Sequence, residues 1–224
     1  MNVVVLDASQ GVGGLLVAGA LQRAHNVTAF GSGTAVGVGS GHDVAFGAAA
    51  GAAEGRLRVL HGDLLDRIAV TDAVAEQDAV LYAVETPGGR EGATGAAEGM
   101  RTVLLAMRDE DVRRLVCLSV GGPGSDREGD RPGLFARLFG GTPPAGRLAD
   151  LRQMEVAVRK SSGLSWTIVR AAKLTDDRGQ HSIRSGPGYA LPHGTKIARA
   201  DVAEFMLDQL DDHTNAGHAV AIAW

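Results

Sequence analysis

The chain has 224 residues, 45% of them hydrophobic, enough for one domain with a substantial core. Its 26 acidic and 22 basic residues give a net charge of −4, which excludes the basic signature of a nucleic-acid binder. No apolar run reaches the ~18 residues of a spanning helix, and the start lacks the basic stretch and cleavage site of a signal peptide. The expectation is a cytoplasmic protein with no membrane partner, its oligomeric state (monomer or homodimer) left open. The single cysteine, Cys117, excludes an internal disulfide framework and a Cys-based zinc cluster. It lies in the apolar run Leu115 to Val120, where an inert buried thiol is expected. The Ala, Gly and Arg bias leads to the expectation, on composition alone, of a high-GC bacterial genome.

In chain order, a strand at Val3 to Leu6 enters a glycine-containing turn and then a helix over about Gly14 to Ala24. A second strand, Asn26 to Phe30, follows at once. The third, Leu57 to His61, ends in Gly62-Asp63-Leu64 and leads to a helix over about Arg67 to Ala75. The fourth strand is Ala79 to Val84, followed by a helix from about Ala93 to Arg108 and a fifth strand, Leu115 to Val120. A polar helix, about Arg147 to Ser161, stops at Gly163 before the strand Trp166 to Arg170. A last helix, about Ala200 to Leu210, precedes a terminal strand, Ala219 to Ala223. Short β-branched runs alternating with helices describe an α/β protein, a Rossmann-like doubly wound parallel sheet with helices on both faces in three layers.

Two stretches break the pattern. Gly31 to Gly55 is Gly- and Ala-rich where a short helix is due, and reads as a loop with at most a poor helix. Gly121 to Gly146 is a Gly- and Pro-rich loop at the end of the fifth strand and, with residues 177–197, is a candidate lid or substrate loop.

Taken together, the opening strand and turn, HNVTAF at His25 to Phe30, GDLLD at Gly62 to Asp66 and DAVLYAV at Asp78 to Val84 form a recognisable series. RRLVCLSVGG at Arg113 to Gly122, SGLSWTIVRAAKLTD at Ser162 to Asp176 and ARADVAEFMLD at Ala198 to Asp208 continue it. With these strings the chain resembles, over nearly its whole length, the atypical short-chain dehydrogenase/reductase family, the NmrA-like and biliverdin reductase B-like proteins with an NAD(P)H-binding Rossmann domain. The resemblance implies a nicotinamide cofactor, NADP or NAD, and a small-molecule substrate.

The family usually has glycine at the positions matching Asp7, Gln10 and Gly13, and only Gly13 keeps it. In the G-x-x-x-G-x-G register of mainstream short-chain dehydrogenases, Gly11 and Gly13 match and Asp7 alone departs. Such glycines let the backbone approach the pyrophosphate and let the helix pack close to the strand. Aspartate tolerates a left-handed backbone, but its carboxylate repels a pyrophosphate. The resemblance also implies cofactor contacts at Ser9, Gln10, Val12, Ser32, Asp63, Leu64, Ala83 and Val84. NADP-preferring relatives commonly carry an arginine where Gly31 and Ser32 stand here, and Asp63 matches the residue that touches the adenine edge.

The Tyr-x-x-x-Lys dyad of mainstream members is absent, since neither Tyr82 nor Tyr189 has that lysine partner. Ser119, ending the fifth strand where the family has its serine, is a candidate to bond a substrate carbonyl or, equally, the loop backbone. Lys173 and Arg170 follow or end the sixth strand, whose carboxyl end is expected to face the same crevice. Each is a candidate to bind an acidic or enolate oxygen or, equally, to close a surface salt bridge, the plainer reading of Arg170. Ser119, Lys173 and Glu85 are the catalytic candidates. Glu85 replaces a small residue after the fourth strand and, with Thr86 and Pro87, alters the crevice wall. His181 and His193 lie in loop-rich sequence; no metal-ligand spacing is found among the seven histidines. Met154 and Glu155 match a frequent family pair on the helix before the sixth strand; helix packing is the favoured reading of Met154, and a solvated glutamate is the plain alternative for Glu155. Three functions follow: an NAD(P)H-dependent reductase of a small conjugated carbonyl, a quinone or polyketide-type compound; a cofactor-independent cyclase, isomerase or dehydratase of secondary metabolism; and a non-catalytic NmrA-like sensor.

Overall fold

The computed structural model describes residues 1–9, 11–32, 55–85, 95–120, 145–187 and 195–224. The Gly31 to Gly55 stretch beyond Ser32, most of the Gly121 to Gly146 loop, Gln10, Thr86, Pro87, Tyr189 and His193 lie outside the described residues.

The chain opens with β1 (Asn2–Leu6), α1 (Gly11–Gln22), β2 (Asn26–Gly31) and β3 (Leu57–His61). It continues with α2 (Arg67–Val74), β4 (Ala79–Tyr82), α3 (Ala96–Asp109) and β5 (Arg114–Val120). Next come α4 (Ala145–Lys160), β6 (Ser165–Ala171), β7 (Lys173–Thr175), β8 (Arg184–Pro187), β9 (Lys196–Ala198), α5 (Arg199–Asp208) and β10 (His218–Ala223). An eight-stranded sheet runs β3-β2-β1-β4-β5-β6-β10-β8, and β7 with β9 forms a separate two-stranded ribbon. The sheet is parallel except for β8, which pairs antiparallel to β10.

Every residue of β4 is buried, and β1 is buried from Val3 to Leu6, as strands covered on both faces require. Alternate residues go to opposite layers. Val3 and Val5 join Leu81, Leu118 and Val169 beneath α1 and α5, where Leu16, Val17, Val202 and Met206 close the core. Val4 and Leu6 join Val80, Tyr82 and Ile168 beneath α2, α3 and α4, against Val74, Met100, Val103 and Met154. Cys117 is fully buried in this second layer, where desolvation pushes its thiol far above the usual range. Buried Arg114, at the start of β5, donates to the Gln209 carbonyl at the end of α5 and to Thr167 Oγ1 at 3.1 Å, tying helix to sheet.

Strand order reverses at β1: the chain winds outward through β2 and β3, then returns to β4 on the other side. In open α/β sheets this switch point opens a crevice beyond the carboxyl ends of the strands. Here the crevice lies between the turn after β1 and the end of β4.

The turn after β1 is tight. Asp7 has φ 66° and Gly11 φ 58°, both left-handed. A Cβ on Gly13 would overlap the Asp7 carbonyl oxygen, so α1 can lie against the strand end only with glycine there. The neighbouring Gly14 is open, its nearest contact the Ala8 carbonyl oxygen at 3.8 Å.

Gly13→Ala should therefore destabilise the fold by about 2–3 kcal/mol through overpacking. Gly14→Ala should be neutral or stabilising by up to about 1 kcal/mol from helix propensity. Urea unfolding of the pair checks this contrast.

Candidate functional site

Glu85, three residues past the end of β4, dominates the crevice. Its Oε1 accepts from the Val12 backbone N–H at 2.6 Å, placing a carboxylate on the first turn of α1, where the helix dipole favours negative charge. A Cβ on Gly11 would overlap that oxygen, so the carboxylate packs directly on the glycine backbone. From the far side Arg199 Nε donates to Glu85 Oε1 at 3.1 Å and to Oε2 at 2.9 Å. Arg199 Nη1 also donates to Asp176 Oδ1 at 2.7 Å. Arg199 thus joins the end of β4 to the segment after β7 through the start of α5. Burial pulls its guanidinium pKa down, but the Glu85 and Asp176 carboxylates outweigh this and raise it.

Asp7 lies in the same crevice. Desolvation raises its carboxyl to about 6, the Glu85 charge adds to the rise, and a hydrogen bond from Ser9 opposes it. Glu85 has a guanidinium and a backbone N–H at its oxygens; Asp7 has the Ser9 hydroxyl.

The structure therefore brings together Asp7, Ser9, Gly11, Val12, Gly13 and Glu85, with buried Ala83 and Val84 leading from β4 into the crevice wall. Ser32 is exposed after β2. Asp63 is exposed too, its Oδ1 accepting from the Leu65 N–H at 2.9 Å, and half-buried Leu64 approaches the Gly99 position on α3. Lys173 stands exposed on the β7 ribbon, opposite Lys196 in register. Tyr82 is fully buried, its hydroxyl donating to the Ala96 carbonyl at 2.9 Å, and burial holds its phenol far above its ordinary range.

Ser119 is fully buried, and its Oγ donates to Glu155 Oε1 at 2.9 Å. Arg170 completes the cluster, with Nε 3.1 Å from Oε1 and Nη2 2.6 Å from Oε2 of the same carboxylate. Glu155 and Arg170 are 3% and 7% exposed, so Glu155 is not solvated and Arg170 does not form the surface salt bridge that its sequence context favours. The sheet register places Ser119 beside Arg170, and α4 crosses above with Glu155 pointing down. The sequence held a weak signal, because Ser119 and Arg170 both stand at strand ends that demand polar partners once buried.

His181, Asp201 and Glu204 form a cluster whose ligating atoms lie within 4.8 Å of one another, a grouping that their spacing in the chain does not reveal. Asp201 Oδ2 accepts from the Gln180 N–H at 2.9 Å and Trp224 Nε1 at 2.6 Å, and Oδ1 accepts from the His181 N–H at 3.3 Å. With both oxygens so engaged, Asp201 is a clamp that fastens residues 180–181 and the carboxyl-terminal Trp224 to α5.

Glu155→Gln should cost about 3 kcal/mol, because it strips the carboxylate from a buried Arg170; thermal or urea unfolding reads it. Asp7 makes a pH-dependent contribution. Its folded pKa exceeds the ordinary carboxyl value, so the contribution is complete below about pH 4 and lost as pH rises through about 6. Asp7→Asn should accordingly gain up to ~3 kcal/mol over wild type at pH 8 and almost nothing at pH 4. The difference between the two proteins' urea midpoints across that range is the measurement.

A protein-family model described as NAD(P)H-binding matches residues 8–213. No curated protein matches the chain. Among solved structures it is similar to a short-chain dehydrogenase/reductase from Veillonella parvula in complex with NADP (TM-score 0.76, 18% identity, covering 100% of this chain and 94% of that one). It is also similar to an oxidoreductase from Lactococcus lactis (TM-score 0.75, 15% identity, 99% and 90% covered). A third is an anaerobillin reductase from Escherichia coli O157:H7 (TM-score 0.70, 21% identity, 99% and 96% covered). At these identities the likeness is one of fold, which the strand order and the tight turn after β1 share with Rossmann domains at large. Among the described residues no helix is long and apolar enough to cross a membrane. The family match spans nearly the whole chain, from the turn after β1 to the end of α5, and the chain belongs to the NAD(P)H-binding Rossmann family.

Proposed function

We propose that this protein is an oxidoreductase that uses NADP or NAD to reduce a small conjugated carbonyl compound of the quinone or polyketide type. Membership of the NAD(P)H-binding family carries the reading, together with a tight glycine turn at the switch point of the sheet. The reductase and the NADP complex among its structural neighbours support it by analogy.

A dinucleotide diphosphate at this turn needs close backbone approach and free N–H groups. Gly13 fits, since a Cβ there would overlap the Asp7 carbonyl oxygen, and Gly11, left-handed at φ 58°, holds the turn in a conformation that suits glycine. Glu85 does not fit: its carboxylate lies on Gly11 and holds the Val12 N–H that a phosphate would take. In this arrangement the turn does not admit a diphosphate.

Asp7 favours a second reading. A carboxyl group titrating at about 6 is suited to proton transfer near neutral pH, and it shares a crevice with Glu85. Such a site fits a cofactor-independent isomerisation, cyclisation or dehydration, with Asp7 moving the proton and the Arg199-bound Glu85 fixing the crevice wall.

Absorbance at 340 nm, followed with NADH and NADPH across a quinone panel, separates the two. The reductase reading expects a substrate-dependent loss of absorbance. A flat trace with folded protein, and turnover of a candidate isomerisation substrate that Asp7→Asn lowers at least tenfold, would move the assignment to acid–base chemistry.

A further inference from the structure

Where a dinucleotide site would offer a free helix terminus, this crevice holds a carboxylate of the chain itself. Glu85 is bound much as a ligand anion would be: one backbone N–H from the helix at 2.6 Å and a guanidinium Nε at 3.1 and 2.9 Å on its two oxygens. Its side chain is 21% exposed and that of Arg199 25%, so the pair is partly withdrawn from screening solvent. Asp176, 67% exposed, holds the other side of Arg199.

We propose that Glu85 is an internal competitor for the dinucleotide diphosphate, a latch seated on Val12 and Arg199 that must swing out before NAD(P)H can bind. The inference rests on the reading of this crevice as a dinucleotide site and adds how access to it is controlled.

Three features support it. First, the contact is exclusive: the Glu85 carboxylate fills the space above Gly11 that a phosphate would need. Second, its partners are the groups that suit a phosphate, a helix-start N–H and an arginine. Release of Glu85 exposes both of them, while Asp176 keeps Arg199 beside the crevice. Third, Asp7 already places one carboxyl group here, so Glu85 and a diphosphate together would crowd like charges into a partly desolvated space. The protein then has two states, latched or ligand-bound, and apparent affinity falls by the fraction of molecules that are unlatched.

The test is calorimetric titration of the full chain with NADPH, NADH and, as an uncharged control, adenosine. Wild type is compared with Glu85→Gln and Glu85→Ala, and folding is checked by circular dichroism. Glutamine nearly preserves the size of the side chain, so it decides the matter alone if the alanine variant does not fold. The expected result is that the Glu85 variants bind at least one dinucleotide tenfold or more tightly than wild type, with adenosine affinity unchanged.

Equal dinucleotide affinity in wild type and variants would overturn the latch and leave the dinucleotide reading standing. An equal gain for adenosine would also overturn it, since the effect would then be a loosened crevice and not competition between anions. Absence of binding by every variant at millimolar NADPH and NADH would remove the dinucleotide reading and the latch with it.

Discussion

The lack of room between Gly13 and the Asp7 carbonyl governs the crevice. Because helix and strand end meet there backbone to backbone, α1 begins directly above the carboxyl end of β1 and its first N–H groups face the switch point. An array of oriented N–H dipoles in a partly dry crevice draws in negative charge. In most Rossmann domains a phosphate satisfies that demand; here the chain meets it from the end of β4, through Glu85. Arg199, 114 residues further along, then follows from electrostatics, because a carboxylate held in a half-buried crevice needs a cation at its other oxygen.

The same logic repeats one strand further on. Ser119, Glu155 and Arg170 form a buried polar cluster at the carboxyl ends of β5 and β6, with each Glu155 oxygen accepting from at least one of its neighbours. A buried pair of this kind adds little net stability compared with a well-packed apolar substitute, although removing one partner is costly. Its evident effect is geometric: it sets the position of α4 over the sheet and so shapes the wall beyond the crevice. A hydroxyl donated to a buried glutamate is a strut, which is why the family-like position of Ser119 does not by itself make it a reacting group.

The main frame was legible in the sequence because its signals are local. Apolar runs of strand length marked β1 to β6 and β10 to within one or two residues, and Gly163 marks the exit from α4 with φ 81°. The short strands β7, β8 and β9 carry too few residues for periodicity to show, and their pairing depends on contacts with β10 and with one another. The departure at Asp7 was legible for the same local reason, since it interrupts a known spacing. Its consequence was not. Nothing near Glu85 in the chain announces Arg199, and nothing near Glu155 announces Arg170 as a buried partner. Both pairings are made by the winding of the sheet, which brings strand ends and helix starts to one edge regardless of their separation in sequence.

Seen physically, the two carboxyl groups of the crevice answer different questions. Glu85 is surrounded by donors and keeps its place through them, whereas Asp7 is desolvated, near another negative charge, and helped only by Ser9. Environment gives two chemically similar groups different roles: donors anchor Glu85, while desolvation and a neighbouring charge raise the Asp7 carboxyl to about 6. They are also coupled, because the Glu85 charge is one of the two causes of the rise at Asp7. Movement of Glu85 away from the turn would relieve that repulsion and lower the Asp7 pKa. A change in the anchor is thereby transmitted to the proton-bearing group beside it, and the occupant of the turn sets the charge state of the crevice as well as its shape.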